Sequence, residues 1–267
     1  HIPCDEINSL LRDRFNNIWL GSIGGGVLMI DTKQSPFAFY SLNLAEDDVP
    51  TTAVRALFAD ADKDLWLGTG SYGLARKDYE TGVLSFFSHI PEFSDIPSVP
   101  TVNYIIQRKN GEVWFATYDG GILIYEKGEK VKVLTESDTP YLYSDCVSAL
   151  CEDSKGNCWV GCRGGMGISL ADGGHYRFGT LSFAGGGLAD WYHVKDIVED
   201  ADGSFWIATA NYGIIHIMGD VQHPETLKYS NYSYNNGQLA TNSVLCLHVD
   251  KSGRLWAGTE GGGLYLY

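Results

Sequence analysis

Residues 60–78 read DADKDLWLGTGSYGLARKD: an acidic turn, a Trp-centred apolar run, a Gly-rich turn and a second apolar run. With Trp66 as anchor, the same surroundings recur five times. They are DRFNNIWLGSIGGGVLMID around Trp19, RKNGEVWFATYDGGILIYE around Trp114, DSKGNCWVGCRGGMGISLA around Trp159, DADGSFWIATANYGIIHIM around Trp206 and DKSGRLWAGTEGGGLYLY around Trp256. Successive anchors are 47, 48, 45, 47 and 50 residues apart, and of the seven Trp only Trp191 falls outside the register. A near-constant period carried through 267 residues is the mark of a repeat architecture.

Each period holds four short strands. The first is an apolar alternation that ends at an acid (VRALFAD, VSALCED, VKDIVED, VLCLHVD). The second carries the Trp (LWLGT, FWIAT), and the third follows the Gly turn (GLARKD, GILIYE, GIIHIM, GLYLY). The fourth is looser (FAFYSL, VLSFFSHI, VKVLTE, LKYSNYSY). Alternation, β-branched and aromatic enrichment and turn residues at every joint specify strands, and no stretch of helix length keeps a 3.6 period.

The joints are regular too. Asp stands six residues before Trp at Asp13, Asp60, Asp153, Asp200 and Asp250, with Arg108 as the exception. Gly stands three before Trp at Gly111, Gly156, Gly203 and Gly253, with Asn16 and Lys63 in the other copies. An Asp side chain bonds the backbone two residues on, and Gly or Asn accepts the left-handed backbone of a tight hairpin. DADKD and DADG look like the start of a calcium loop, but the loop's distal bidentate Glu is missing, and turn chemistry explains the Asp in five copies with one rule. Two after Trp comes Gly or Ala in every copy, which predicts a crowded strand contact. Seven after Trp comes Gly26, Gly73, Gly121, Gly213 or Gly263; the fourth copy has Met166 there and Gly167 next, read as a one-residue insertion or bulge. These Gly turns join strand to strand, whereas phosphate loops lead into a helix.

Repeats of four strands point to an all-β protein, a β-propeller of four-stranded antiparallel blades. Six repeats, at about 7–52, 53–101, 102–146, 147–192, 193–243 and 244–267, fit a six-bladed ring or part of a seven-bladed one. They run end to end, so residues 1–267 read as one propeller domain. The chain starts and stops inside repeats, which predicts a fragment of a larger protein.

The net charge of −14 repels phosphate backbones and anionic membrane surfaces, so nucleic acid is excluded as a partner of this domain. No apolar run reaches the ~18 residues of a spanning helix, and HIPCDEINSL has no signal-peptide pattern. The six Cys show no C-x-x-C spacing and no metal or cofactor is expected. Cys158 and Cys162 fall on one strand face as small core residues, and Cys4 is left as the candidate for a disulfide in an oxidising compartment.

The consensus V-x-x-I-x-x-D-x-x-G-x-h-W-h-G-T-x-x-G-G-L-x-x-x-D, followed by F-x-x-Y, resembles the two-component-regulator propeller repeat. VRALFADADKDLWLGTGSYGLARKD and VSALCEDSKGNCWVGCRGGMGISLAD are similar to it nearly position for position. The departures are Arg108 for Asp, Ser22 and Cys162 for Thr, and Met166 for Gly. The resemblance implies the periplasmic sensor region of a hybrid two-component (histidine kinase type) or one-component regulator. That region is held in the inner membrane by parts outside this chain, and commonly switches polysaccharide-utilisation genes. It further implies an oligosaccharide ligand, signalling through the remainder of the sensor chain, and work as a homodimer.

Loops on a rigid scaffold carry function. The loops between second and third strands hold Tyr72, Tyr118, Asp119, Arg163, Asn211, Tyr212 and Glu260 at their variable positions, and the loop into the fifth repeat holds Trp191, Tyr192 and His193. Flat aromatic faces with Asp, Asn, Glu and Arg beside them suit a sugar's C–H faces and hydroxyls. Two other readings compete. Asp119, Arg163 and Glu260 would serve a propeller-fold lyase or glycoside hydrolase, with hydrolysis asking for carboxylates ~5–9.5 Å apart. A protein-interaction scaffold would show a flat face. The His residues follow no metal spacing and no G-x-S-x-G elbow occurs.

Overall fold

Every Trp-centred run forms the second strand of an antiparallel sheet, with its Trp opposite the tenth residue on, or the ninth in the fourth repeat. The computed structural model describes residues 7–14, 17–22, 26–31, 35–40, 53–70, 72–178, 180–182, 188–190, 193–223 and 226–267. The architecture is all-β and the sheets are the blades of a β-propeller. The chain divides into two compact units, residues 1–133 and 134–267.

In the first unit, blade 1 is Ile7–Arg12, Ile18–Ser22, Gly26–Asp31 and Ser35–Tyr40. Blade 2 is Val54–Ala59, Leu65–Thr69, Leu74–Lys77 and Leu84–Phe86, and blade 3 is Val102–Gln107, Val113–Thr117, Ile122–Tyr125 and Lys132–Leu134. The fourth-strand run VLSFFSHI is strand only as far as Phe86; single 3-10 turns follow at Phe87–His89 and Pro91–Phe93, and bury Phe93. In the second unit, blade 4 is Val147–Glu152, Cys158–Cys162, Gly165–Ser169 and His175–Phe178, and blade 5 is Val194–Glu199, Phe205–Thr209, Ile214–Met218 and Lys228–Tyr232. Blade 6 has three strands, Val244–Val249, Leu255–Thr259 and Gly263–Leu266. Ahead of blade 5, Leu188–Asp190 pairs antiparallel with Thr180–Ser182.

The repeated residues have local jobs. The Asp six before Trp accepts a hydrogen bond from the indole Nε1: Asp13 from Trp19 (3.0 Å), Asp60 from Trp66 (2.8 Å), Asp153 from Trp159 (3.0 Å), Asp200 from Trp206 (2.8 Å) and Asp250 from Trp256 (2.9 Å). It also takes turn amides, so the turn role expected of it is real but is only half of its work. Where Arg108 replaces the Asp, Glu112 reaches the indole of Trp114 instead (2.9 Å) and Arg108 lies over the ring at 4.9 Å. The hairpin-tip Gly111, Gly156, Gly203 and Gly253 all have φ between 77° and 97°, and Lys63 holds the same left-handed backbone at 74°.

The small residue after Trp makes room for the next blade. A Cβ on Gly161 would stand 2.5 Å from Val194 Cγ1, and one on Gly68 would stand 2.8 Å from Val102 Cγ1. Val54, Val102, Val194 and Val244, each opening an inner strand, are fully buried. Burying such a side chain is worth ~1.5–3 kcal/mol, so this one contact repeats as a principal bond between successive blades of one unit.

The fourth repeat corrects the sequence reading. Val160 pairs with Gly167 and Cys162 with Gly165 in unbroken register, so Met166 marks neither an insertion nor a bulge. The loop is one residue shorter than its counterparts. Elsewhere a hydroxyl closes the wider loop, as Thr69 Oγ1 donates to Gly73 O (3.2 Å) and Thr209 Oγ1 to Gly213 O (2.9 Å). Cys162 has no hydroxyl, and the strands close through Arg163–Gly164, with Gly164 at φ 97°. Cys158 and Cys162 are buried as expected; Cys246, opposite Gly258 on an inner strand, is exposed, and Cys4 lies outside the described residues.

Candidate functional site

In an up-and-down four-stranded blade, the loop between second and third strands lies at the same end as the segment entering the first. The backbone ties the two together in each of the last five blades. Gly70 N donates to Ala53 O, Tyr118 N to Thr101 O, Arg163 N to Cys146 O, Ala210 N to His193 O and Glu260 N to Ser243 O, all at 2.9–3.0 Å. Ties also pass between neighbouring blades of one unit: Thr101 Oγ1 donates to Gly70 O (2.7 Å) and Gly213 N to Asn242 O (2.8 Å). A rim of loops therefore stands on a hydrogen-bonded base, the arrangement that lets loop side chains vary without loss of the fold.

On the first unit's rim, Tyr118 and Asp119 are exposed. Tyr72 behaves differently: it is half-buried, its ring meets Phe86 edge-on at 6.0 Å, and its amide donates to Thr69 Oγ1 (3.0 Å). On the second unit's rim, Arg163, Asn211 and Glu260 are exposed. Glu260 accepts a hydrogen bond from Ser243 Oγ (2.9 Å). Tyr212 is half-buried; its amide donates to Thr209 Oγ1 (2.9 Å) and its carbonyl accepts from Asn231 Nδ2 (2.6 Å). Trp191 and Tyr192 lie outside the described residues.

Two further residues join the second unit's rim. His193 is half-buried, and burial first, then the charges of Lys195 and Arg163, push its pKa down to about 4. At neutral pH it is an uncharged imidazole beside two cations. Lys195, one residue into the inner strand of blade 5, was not a candidate from the sequence, because only the fold brings blade 4's loop against blade 5's entry. The second unit's rim thus offers cations, a neutral imidazole, a hydroxyl–carboxylate pair and an exposed amide. That set recognises hydroxyl-rich or acidic ligands by hydrogen bonding. Among the described residues, no group of three His, Cys, Asp or Glu side chains is placed to hold a metal ion, and no helix is long and apolar enough to cross a membrane.

The family model described as "Two component regulator propeller" matches residues 1–24, 144–164 and 238–261, and the chain carries repeats of that type. Among solved structures, the extracellular domain of a putative hybrid two component system from B. thetaiotaomicron is 21% identical, with a TM-score of 0.60 over 98% of this chain. The chain spans 40% of that relative's length. PorZ, a surface component of the type-IX secretion system of Porphyromonas gingivalis, is 20% identical, with a TM-score of 0.71 over 97% of this chain and 38% of its own. Virginiamycin B lyase from Staphylococcus aureus is 14% identical, with a TM-score of 0.67 over 98% of this chain and 84% of its own. At these identities the likeness is one of fold. A comparison with curated proteins finds no match.

Proposed function

We propose that this chain is a non-catalytic, ligand-sensing extracytoplasmic propeller domain of a two-component regulator. In this reading its six repeats form one domain, and it recognises an oligosaccharide on the loop rim and relays the signal through the rest of its chain, across the inner membrane from the periplasm. The observation that carries the reading is the repeat itself, matched to two component regulator propellers and shared in fold with the extracellular domain of a hybrid two component system. The division of labour within each repeat supports it. Asp, Trp, Thr and Gly serve the scaffold, while exposed Tyr118, Asp119, Arg163, Asn211 and Glu260 are left to face solvent from the rim. Trp191 and Tyr192, next to His193 in sequence, are proposed to add aromatic faces, and the half-buried Tyr72 and Tyr212 belong to the same proposed set. A homodimer is part of the same proposal.

Isothermal titration calorimetry against plant, host and microbial oligosaccharides tests this, with mass spectrometry of the recovered sugar. Saturable binding of an intact sugar that is lost in Arg163→Ala or Tyr118→Ala supports the sensor. A cleaved sugar replaces it with an enzyme, a reading favoured only by the fold shared with a lyase and by an uncharged His193 beside Arg163.

A further inference from the structure

At the opposite end of the blades from the rim, a cavity of about 260 Å³ opens between blades 1 and 2. It exists because one repeat position changes character. The residue opposite the one that precedes Trp, at or next to the end of the third strand, faces the preceding blade's Trp in blades 2, 3, 5 and 6. In blade 3 that residue is Tyr125, with its ring 4.9 Å from Trp66. In blade 6 the corresponding residue is Tyr267, 5.0 Å from Trp206. In blade 5 it is Ile217, in one apolar cluster with Trp159. In blade 2 it is Lys77, half-buried, with Nζ 5.5 Å from the centre of the Trp19 ring. A thin aliphatic stem stands where blades 3, 5 and 6 place a ring or a branched side chain, and the gap is the cavity.

The lining is cationic in a chain of net charge −14. Besides Lys77 it includes Lys63, 4.7 Å over the ring of Tyr79, and Arg14, which reaches from blade 1 to Ala61 O on blade 2 (3.1 Å). The two acids in the lining are occupied in turns. Asp13 accepts from Asn17 and Trp19, and Asp78 accepts from the Thr81 amide and hydroxyl. Lys63 is a second, independent departure. It holds a left-handed backbone where four other repeats use Gly, so a side chain is kept at this hairpin tip against the local steric preference. Burial also lowers the pKa of Lys77, as for an ammonium taken partly out of water. Trp19, Met29 and Leu65 add apolar wall, and Asn17 in the lining donates to Asp13.

We propose that this cleft binds a small ring-bearing carboxylate of monosaccharide size, such as a uronic acid. Its carboxylate meets Lys77, Lys63 and Arg14 and its ring lies against Trp19 and Tyr79. The volume sits near the lower bound of ligand pockets, which suits one ring rather than a chain. The half-apolar wall gives nothing to a bare inorganic anion, and the cations give little to a neutral sugar. The site is separate from the rim and does not depend on the rim reading.

The test is calorimetric titration of the 267-residue chain with galacturonate, galactose and inorganic phosphate, each repeated on two variants. Lys77→Tyr introduces the ring that blades 3 and 6 carry at this position, and Lys63→Gly introduces the glycine of four other hairpins. Both return the chain to its own repeat pattern, so melting at or above the parent temperature is expected. Galacturonate is expected to saturate, galactose to bind at least about tenfold more weakly, Lys77→Tyr to abolish binding and Lys63→Gly to weaken it. Absence of galacturonate binding, equal binding of galactose or phosphate, or binding indifferent to Lys77→Tyr would each overturn the proposal. If Lys77→Tyr melts low, Lys63→Gly decides, since it alters an exposed side chain at a turn.

Discussion

Replacing Asp153 by Ala tests the Asp–Trp bond that recurs through the fold. Asp153 is 2% exposed; its carboxylate accepts from Asn157 N (2.8 Å), Asn157 Nδ2 (2.8 Å) and Trp159 Nε1 (3.0 Å). Asn157 and Trp159 are themselves 1% and 0% exposed, so the donors have no bulk water to turn to. Each buried donor left without an acceptor costs ~1–3 kcal/mol. A water entering the vacated space accepts from part of the set, which leaves a net loss of about 3 kcal/mol. Asp153→Asn keeps one oxygen but turns an NH2 toward a donor, and is expected to lose about 2 kcal/mol. Urea unfolding followed by tryptophan fluorescence reads both. The same substitution at Asp250, which is half-buried rather than buried and to which the more exposed Arg254 also donates, is expected to be the milder. A loss below about 1 kcal/mol in Asp153→Ala, or an equal loss at Asp250, would refute the argument that burial makes this bond costly to break.

Further outcomes follow from the same geometry. Gly161→Ala drives a Cβ into Val194 at the blade 4–blade 5 contact and is expected to destabilise by ~1–3 kcal/mol in thermal or urea melts. Thr209→Val removes the hydroxyl that holds Gly213 O and receives Tyr212 N; hydrogen exchange at the Tyr212 amide is expected to speed up before global stability falls by ~1–2 kcal/mol. His193 has a folded pKa of about 4 against 6.5, so the unfolded chain binds more protons between these values. Its contribution is complete above pH 6.5 and is lost as pH falls toward 4, by ~1–2 kcal/mol after allowance for its solvent-exposed half. His193→Gln is expected to flatten the melting temperature across that window; an unchanged slope would assign the effect to other groups.

The sequence was most legible where function within the fold is local. Trp, its Asp and the hairpin glycine sit within six residues of one another, so their spacing announces the blade. It was less legible where one residue replaces another's role. Glu112 takes over from the missing Asp because it stands two residues from Trp114 on the same strand entry, a substitution that pattern matching at the Asp position does not find. The short loop of blade 4 escapes an alignment of Met166 and Gly167 by residue type, because their pairing with Gly161 and Val160 sets the register. Of the rim candidates, Tyr72 is drawn against Phe86 fourteen residues on, a contact invisible in the loop's own composition.

The sequence by itself determined the number of repeats, the strand order within each and the residues that close each hairpin. Those bonds join groups within one period and must form wherever the pattern occurs. Only the tertiary structure decided which rim residues face solvent, that His193 lies beside Arg163 and Lys195, and that blades 1 and 2 enclose a cavity beside Lys77. These depend on the summed volume and charge of side chains more than a full period apart, such as Trp19 and Lys77. No local pattern encodes that sum, and it takes a value only when one blade is packed on the next.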